Sequence, residues 1–519
     1  ADNVGVSDNN TTNYKTQLNG RLQYETTIAQ NHNIGAMFVY SEEYWHTRST
    51  GASRNDRIHP STSEINSALT NVQSNSGSSA SEGLRSYIGR MNYSAYDKYL
   101  LEFSFRVDGS SKFIKGHQYG FFPTVAVGWR FTEEEFLKKY LSSWLSSGKL
   151  RASWGKLGDN SGVGRFEQLE TLTAMNYMSS DVVKGFVNKK MINKDLSWEV
   201  STDINVGLDL GFLNNRLRTE IDFYNRLRTG MNRPSQMSIH LTGAYSAPRA
   251  NIGDLLNRGL ELNLTWKDKI GNVEYSVNLN GAYNRTVLKE WNEFLSRGWV
   301  YLDMPYHFLY VYENNGIAQT WQDIYNNTPQ GLSPGDVIRK DLNGDGIIDG
   351  KDKKAYPNIQ RDRPTTTYGI TLQAAWKGFD ISMLFNGGLG RKDFWLTDFN
   401  NTAFADRRYA STWDHWTEPW SLENRGGEWP RLGTSTDRSD NSYWLYNMNY
   451  LRMKNIMLGY NLPKKLLSKI SMTNLRIYAS AENLFTVTQY PGLDPEKKNS
   501  ARDLYPINRS FSIGLNVSF

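Results

Sequence analysis

The chain has 519 residues, of which 39% are hydrophobic and 13% aromatic, with a mean hydropathy of −0.60 and a formal net charge of +6. It contains no apolar run of about 18 residues, the length that a membrane-spanning helix requires. The absence of cysteine excludes disulfides, zinc–cysteine sites and thiol catalysis. The dispersed basic residues argue against a nucleic-acid partner. Low hydropathy combined with many aromatic residues favours one large sheet that has an apolar face and a wet face.

Strict alternation of apolar and polar residues recurs along the chain. It predicts β-strands, because successive side chains of a strand point to opposite faces. Clear examples in chain order are residues 101–107, 203–212, 260–266, 273–279 and 511–519. Followed through the whole chain, this pattern predicts roughly 14 to 16 strands.

The connections between these runs fall into two classes. Asn214-Asn215 and Gly271-Asn272 suit tight hairpin turns, whereas residues 50–82 and 388–447 are long and polar. Short turns at one rim and long loops at the other are typical of outer-membrane barrels. The predicted fold class is therefore all-β, a transmembrane antiparallel β-barrel.

A large soluble β-sandwich or propeller also alternates and is the competing fold. Two features weigh against it. Trp129, Trp266 and Trp376 stand near strand ends, where an aromatic girdle lies in a membrane barrel. Charged residues such as Arg106 and Asp203 occupy the polar faces, which suits a water-filled lumen.

Several motifs along the chain resemble the SusC/RagA-type TonB-dependent transporters, in their C-terminal half. Their order and approximate spacing carry the resemblance over nearly the whole chain. The segments are Asp108-Gly109-Ser110-Ser111-Lys112-Phe113, Gly120-Phe121-Phe122-Pro123, Lys149-Leu150-Arg151-Ala152-Ser153-Trp154-Gly155, Pro334-Gly335-Asp336, Tyr450-Leu451-Arg452-Met453-Lys454-Asn455, Ala481-Glu482-Asn483-Leu484-Phe485 and Tyr490-Pro491-Gly492-Leu493-Asp494-Pro495.

The resemblance implies a plug domain inside a barrel of about 22 strands, coupling to TonB, and a SusD-like surface lipoprotein that closes over the pore. It also implies the outer membrane of a Gram-negative, Bacteroidetes-type bacterium. The plug is absent from this chain, and too few strands are present for such a barrel. Unpaired strand edges in lipid leave backbone groups unsatisfied, at several kcal/mol each. We therefore expect a separate N-terminal chain or a missing segment to complete the wall.

An acidic segment within residues 326–364, which we expect to be an extracellular loop, has the spacing of a calcium loop. Oxygen-bearing side chains stand at positions 1, 3, 5 and 12 and glycine at position 6, with aspartate replacing the usual final glutamate. A Gly-Asp-rich turn held by side-chain to backbone hydrogen bonds is the alternative. The predicted ligands of a structural Ca²⁺ are Asp341, Asn343, Asp345, Ile347, Asp349 and Asp352.

The long segment 388–447 is rich in tryptophan. Aromatic faces stack on sugar rings or grip apolar peptide side chains, so these residues are candidates for contact with cargo or partner. A small core within the loops, or a docking surface, is the favoured alternative, because buried aromatics dominate both. The candidates are Trp395, Trp413, Trp416, Trp420 and Trp429.

No constellation in the sequence indicates an enzyme. Glu133, Glu134 and Glu135 are adjacent carboxylates that predict the start of a short helix better than a glycosidase pair. The seven histidines are scattered without ligand spacing. We therefore expect import of large nutrients, either oligosaccharides or oligopeptides. A non-transporting adhesin or scaffold barrel is the first alternative, and a secreted β-rich hydrolase is the second.

Overall fold

Alternating residues of the kind noted above form long strands throughout a computed structural model of the chain. The structure describes residues 5–519 apart from residues 58, 60, 70–72, 142, 179–181, 189–190, 238–239, 241–246, 293–300, 307, 362, 395–417, 432–439, 468–471 and 498–506. Within these residues no helix is long and apolar enough to cross a membrane.

Strands account for most of the described chain. In chain order they are β1 (Val6–Ile28), β2 (His32–Arg54), β3 (Gln73–Ala95), β4 (Tyr99–Ser110), β5 (Tyr119–Trp129), β6 (Leu145–Asp159), β7 (Leu172–Met178), β8 (Val182–Asn188), β9 (Glu199–Phe212), β10 (Leu217–Thr229), β11 (Asn232–Pro234), β12 (Arg249–Asn251), β13 (Asp254–Ile270), β14 (Val273–Glu290), β15 (Phe308–Tyr312), β16 (Asn314–Ile317), β17 (Val337–Arg339), β18 (Lys353–Gln360), β19 (Thr366–Trp376), β20 (Phe379–Leu389), β21 (Lys392–Phe394), β22 (Leu445–Asn447), β23 (Tyr450–Asn461), β24 (Asn474–Thr488) and β25 (Ser510–Ser518).

In the part of the chain that the structure describes, helices are few and short. They are α1 (Glu135–Leu141), α2 (Trp321–Tyr325) and α3 (Lys464–Leu467), with 3-10 turns at Ile65–Ser67, Phe131–Glu133, Gly350–Asp352 and Ser442–Trp444. The predicted helix start at Glu133 to Glu135 is thus present as a 3-10 turn followed by α1. Glu134 is buried and accepts a hydrogen bond from the Tyr99 hydroxyl at 2.5 Å.

Fifteen strands form one sheet, in the order β1-β2-β3-β4-β5-β6-β9-β10-β13-β14-β19-β20-β23-β24-β25. Every neighbouring pair is antiparallel, so the chain runs up and down. This confirms the predicted fold class and strand number. Among the described residues, β1 and β25 stand at the two ends of this order and leave the sheet with two edges.

The register separates an apolar face from a polar face. Between β13 and β14, Leu264 lies opposite Leu279 on one face. The preceding residue of β13, Asn263, is on the other face and lies opposite Asn280. A shift of one residue would exchange the two faces, so the hydrophobic pattern fixes the pairing. Large apolar side chains therefore stay exposed along one face, as lipid contact requires.

The two rims differ as predicted. β9 and β10 are joined through Asn214 and Asn215, both with positive φ, and β13 is joined to β14 through Gly271 and Asn272. The opposite rim carries connections such as 291–365 and 390–449. The prediction for residues 50–82 was wrong in length. β2 and β3 pair over 23 residues each, and the connection is only 55–72, because a run of small polar residues in these strands hides the apolar–polar alternation although the backbone pairing continues.

Candidate functional site

The polar face of the sheet carries an ionic bridge that spans three strands. Arg151 of β6 donates from Nη2 to Asp209 of β9 at 2.7 Å and from Nη1 to Asp222 of β10 at 3.0 Å. Gly207 of β9 lies opposite both Arg151 and Asp222. A Cβ at Gly207 would stand 2.6 Å from the Arg151 guanidinium carbon and from the Asp222 carboxylate. Because Gly207 has no side chain, the Arg151 guanidinium can cross β9 and reach Asp222 on β10.

The same arrangement occurs near the other end of the sheet. Arg476 of β24 donates from Nε to Asp380 of β20 at 3.0 Å, passing over Gly459 of β23. A Cβ at Gly459 would meet both partners at 2.5 to 2.6 Å. Both bridges lie toward the rim with short turns. They tie alternate strands together on the polar face through pairs of opposite charges.

The bridge of Arg151 can be tested by adding a side chain at Gly207. Gly207→Ala should displace the Arg151 guanidinium from Asp222. We expect the barrel wall to lose about 1 kcal/mol of stability. This is the low end of the cost of overpacking, because the end of an arginine side chain can move. The measurement is the temperature at which the folded form is lost on detergent gels. Gly281→Ala is the control, since its nearest neighbour, a backbone oxygen, is 3.8 Å away. Equal transition temperatures for the two variants would contradict the bridge.

A cavity of about 870 Å³ opens on the polar face beside this network. Strands β1 to β6 and β9 line it, and its polar residues include Glu25, Arg90, Glu102 and Arg151. Arg90 and Glu102 form an ion pair of 2.6 Å. This side of the sheet is polar and carries paired charges, as the wall of an aqueous lumen does.

Three long connections on the opposite rim share one hydrophobic core, here called the loop core. The connections are 291–365, 390–449 and 489–509, and each supplies buried side chains. Trp444 is 2% exposed and Met448 is fully buried. The loops therefore form one packed layer above the sheet. The members of the loop core are Leu309, Val311, Val337, Phe394, Trp444, Met448 and Tyr490.

A buried ion pair anchors the third connection to the sheet. Arg452 of β23 donates to Asp494 and to Glu496, each at 2.7 Å. The side chains of Arg452 and Asp494 are 3% and 2% exposed. Arg391 donates to the backbone oxygens of Pro495, Glu496 and Lys497 at 3.1 to 3.2 Å. Two arginines thus hold the segment Asp494 to Lys497 from both sides.

The tryptophan candidates separate into two groups. Trp395, Trp413 and Trp416 lie outside the described residues. Trp420 is buried, with its ring against Gly335, and its backbone N–H donates to the Trp429 backbone oxygen at 2.7 Å. Trp429 packs on the loop core. A role in cargo contact stays a prediction for all five.

The turn beside Trp420 explains one of the sequence motifs. Gly335 has φ +90°, a conformation that other residues rarely adopt. The following Asp336 is buried and accepts from Arg431 Nε at 2.8 Å. The Pro334-Gly335-Asp336 turn therefore fastens connection 291–365 to connection 390–449.

The acidic loop at 341–352 is held by its own backbone. Asp341 accepts from Gly344 N–H at 2.7 Å and from Gly346 N–H at 2.9 Å. Asp352 is fully buried and accepts from the N–H groups of Leu342, Asn343 and Asp349. The Asp349 N–H lowers the pKa of Asp352 most, and the other two N–H groups add to this against the effect of burial.

The predicted metal ligands offer oxygen donors, which suits calcium, and they lie in one loop. Their carboxylates, however, point at N–H groups. In the described part of the chain, no group of three or more His, Asp or Glu side chains is arranged to hold a metal ion. Side-chain to backbone bonding accounts for this geometry without a metal, so the calcium site stays a prediction.

Comparison with known proteins identifies the family that has this sheet. Residues 2–302 match the family model "TonB dependent receptor-like, beta-barrel". The chain is 30% identical over 476 residues to TonB-dependent receptor P3 of Formosa agariphila, covering 84% of this chain and 45% of that protein. It is 30% identical over 456 residues to TonB-dependent receptor SusC of Bacteroides thetaiotaomicron, with 84% and 44% covered. The chain thus spans about half the length of the curated relatives it matches.

Solved structures agree on the fold. The RagAB peptide transporter superposes with a TM-score of 0.81 over 99% of this chain and 56% of its own, at 22% identity. The reported relatives are receptors and transporters, which confirms the prediction that this chain is not an enzyme. The family model covers more than half of the sequence, and the sheet has the matching architecture. The chain belongs to the TonB-dependent receptor-like β-barrel family and is similar to SusC.

Proposed function

We propose that this chain forms most of the wall and outer loops of an outer-membrane importer for large nutrients, energised through TonB. The observation that carries the proposal is the 15-stranded up-and-down sheet with one apolar and one charge-paired face, in a chain of this receptor family. The wet face lines the path of the cargo, and the apolar face meets lipid. The producing organism is a Gram-negative, Bacteroidetes-type bacterium.

The proposed partners follow from the two edges of the sheet and from the length of the relatives. Further strands close the wall between β25 and β1, because an open edge in lipid is costly. A plug domain occupies the wet face and connects to TonB. The loop layer, with its shared core, is a firm platform on which a SusD-like lipoprotein closes over the pore.

An adhesin or scaffold barrel has the same strands but moves no cargo. Deletion of the gene in the producing bacterium distinguishes the two. We expect loss of growth on one large nutrient as sole carbon or nitrogen source, with normal growth on its monomers, and recovery when the gene is restored. Unchanged growth on every such nutrient, together with lost attachment to a surface, would favour the adhesin.

We also propose that calcium binds the acidic loop by replacing N–H groups as the partner of its oxygens. The calcium-loop spacing and the exposure of Asn343 and Asp345 support this. Calorimetric titration with Ca²⁺ should show binding that Asp345→Ala removes, and Mg²⁺ should bind more weakly because the loop supplies few water positions. If the natural chain and Asp345→Ala give the same heat signal, calcium does not bind at this loop, and the loop is held only by its own side-chain to backbone hydrogen bonds.

A further inference from the structure

One connection at the rim with short turns is longer than reversal of the chain requires. A hairpin turn needs as few as two residues, and β13 is joined to β14 through 271–272. β5 and β6, in contrast, are joined by residues 130–144, which contain a 3-10 turn and α1. Residues 130–144 are here called the rim segment. The rim with short turns is the periplasmic one in outer-membrane barrels.

The start of the rim segment lies on the apolar face of the sheet. The Phe131 ring covers Gly148, where an added Cβ would stand 2.3 Å from the ring. Phe131 also contacts Trp129, with ring centroids 5.9 Å apart. Trp129 lies opposite Leu150, and Gly148 precedes Leu150 by two residues, so all three share the apolar face. The rim segment therefore leaves β5 over the outer surface of the wall and not over the lumen.

A buried carboxylate fixes the rim segment in this position. Glu134 accepts hydrogen bonds from the Tyr99 hydroxyl at 2.5 Å and from Trp129 Nε1 at 3.2 Å. Its second oxygen lies 3.3 Å from Lys98 Nζ. Tyr99 begins β4 and lies opposite Trp129, the last residue of β5. Because Glu134 is bound to the ends of two strands, the start of α1 is held against the sheet.

The end of the rim segment lies on the same face. Trp144 stacks on Phe212 with ring centroids 5.8 Å apart and an angle of 21° between the rings. Phe212 is the last residue of β9 and shares its apolar face with Leu210 and Leu208. The Leu213 backbone N–H also donates to the Trp144 backbone oxygen at 3.3 Å. Contacts before and after α1 thus place this helix outside the wall.

α1 has an apolar side that the protein covers only in part. Leu137 and Leu141 are half-buried, whereas Phe136 is 64% exposed and Tyr140 is 74% exposed. Residues three and four apart are neighbours on a helix, so these four side chains form one continuous apolar side. Lys138 is exposed on the opposite side. The uncovered aromatic rings are therefore not scattered but belong to one side of an amphipathic helix.

We propose that α1 is an interfacial anchor that lies in the headgroup region of the periplasmic leaflet, an inference that goes beyond the import function and does not depend on it. Phe136, Tyr140 and Trp144 insert at the boundary with the acyl chains, the depth that aromatic residues favour. Amphipathic helices with lysines on the polar side lie in the membrane plane at this depth. The anchor fixes the height of the β5–β6 rim in the bilayer.

Continuity with the lipid-facing surface identifies the partner as phospholipid and not as a periplasmic protein. Leu101, Val127 and Leu150 are 41% to 48% exposed on the same face, two residues or fewer from the strand ends that hold the rim segment. A protein that covered α1 would have to displace the lipid around these strand ends.

The charges of the rim segment do not call for an anionic lipid. Lys138 lies 3.8 Å from Glu133, and Glu135 stands in the same helix as Lys139. The two lysines are therefore matched by two glutamates, and aromatic burial supplies the attraction. A zwitterionic phospholipid is sufficient as the partner.

Spin labels on single cysteines measure the depth of α1 in the complete protein, reconstituted in phosphatidylcholine nanodiscs. Labels at Phe136→Cys and Tyr140→Cys should collide more with oxygen, which dissolves in lipid, than with a nickel chelate, which stays in water. Lys138→Cys is the matched control, because the Lys138 side chain is also 64% exposed, and its label should show the reverse. The unsubstituted protein, treated with the same reagent, gives the background.

Hydrogen–deuterium exchange in the same nanodiscs gives a second measurement without a label. Phe136→Ser should raise the exchange of a peptide covering 135–141 about tenfold, because the ring loses its burial in lipid. Lys138→Ser, which also places serine in α1, should leave the exchange nearly unchanged.

Three results would overturn the anchor. Equal access of the nickel chelate to all three labels would place α1 in water. Labels at Phe136 and Tyr140 that are shielded from both reagents in membranes of the producing bacterium would mean that a protein covers the helix. Equal exchange in the two serine variants would mean that the Phe136 ring is not buried in lipid.

Discussion

Arg452→Ala is expected to release the segment Asp494 to Lys497 from the barrel wall. Removing one member of a buried ion pair leaves the other charged and uncompensated, at about 3–5 kcal/mol. Asp494 loses its arginine partner, and its Oδ2 has no hydrogen-bond partner among the described residues to compensate, whereas Glu496 keeps hydrogen bonds from Asn386 and Tyr450. Local opening should become about two to four orders of magnitude more frequent.

Hydrogen–deuterium exchange of a peptide covering residues 489–497 measures this opening. Lys454→Ala is the control, because Lys454 also approaches Glu496, but at 3.9 Å and with 43% of its side chain exposed. An exposed pair of this kind contributes less than about 1 kcal/mol. Exchange that rises equally in both variants would mean that the buried pair does not anchor the loop.

Trp444→Ala is expected to loosen all three loop-layer connections together. Trp444 is 2% exposed, and replacing such a side chain by alanine costs about 3–5 kcal/mol through lost burial and the cavity left behind. Because the loop core draws on all three connections, peptides from each should exchange faster. Peptides from β9 and β10 should not change, since those strands are paired within the sheet.

Trp321→Ala is the matched control for this second variant. Trp321 stands in the same layer, on α2, but is 56% exposed. Its removal should leave the exchange of residues 390–394 and 489–497 as it is. If Trp444→Ala affects only connection 390–449, the loops fold separately and the loop core is not a shared one.

The extended structure was predictable because its signal is local. From Leu260 to Trp266, the polarity of each residue alone predicts the face of the sheet on which its side chain lies. The observed register with β14 agrees with this pattern. The turns at Asn214-Asn215 and Gly271-Asn272 were predictable for the same reason. In β2 and β3, small polar residues such as Ser78 and Ser79 blurred the alternation, and the predicted loop was too long there.

The loop layer and the ionic bridges were less predictable, because their contacts join residues far apart in sequence. Nothing local in Arg452 indicates Asp494 as its partner, and Gly207 gives no sign that a side chain from β6 passes over it. One element of the loop layer did carry a signal, since Phe308, Tyr310 and Tyr312 stand at every second position of β15. The prediction instead singled out the tryptophans of 388–447, of which the described ones are packed inside.

Alternate side chains of each strand are expected to face lipid and water, and cysteine labelling tests this most directly. This sequence has no cysteine, so single cysteines placed from Leu260 to Trp266 are the only thiols within it, and membranes that carry the unsubstituted protein give the background. In membranes of the producing bacterium, a charged thiol reagent should label Glu261→Cys, Asn263→Cys and Thr265→Cys, while a lipid-dissolved quencher should reach labels at Leu260, Leu262 and Leu264. Accessibility that does not alternate, or apolar positions sealed from both lipid and water, would contradict the account.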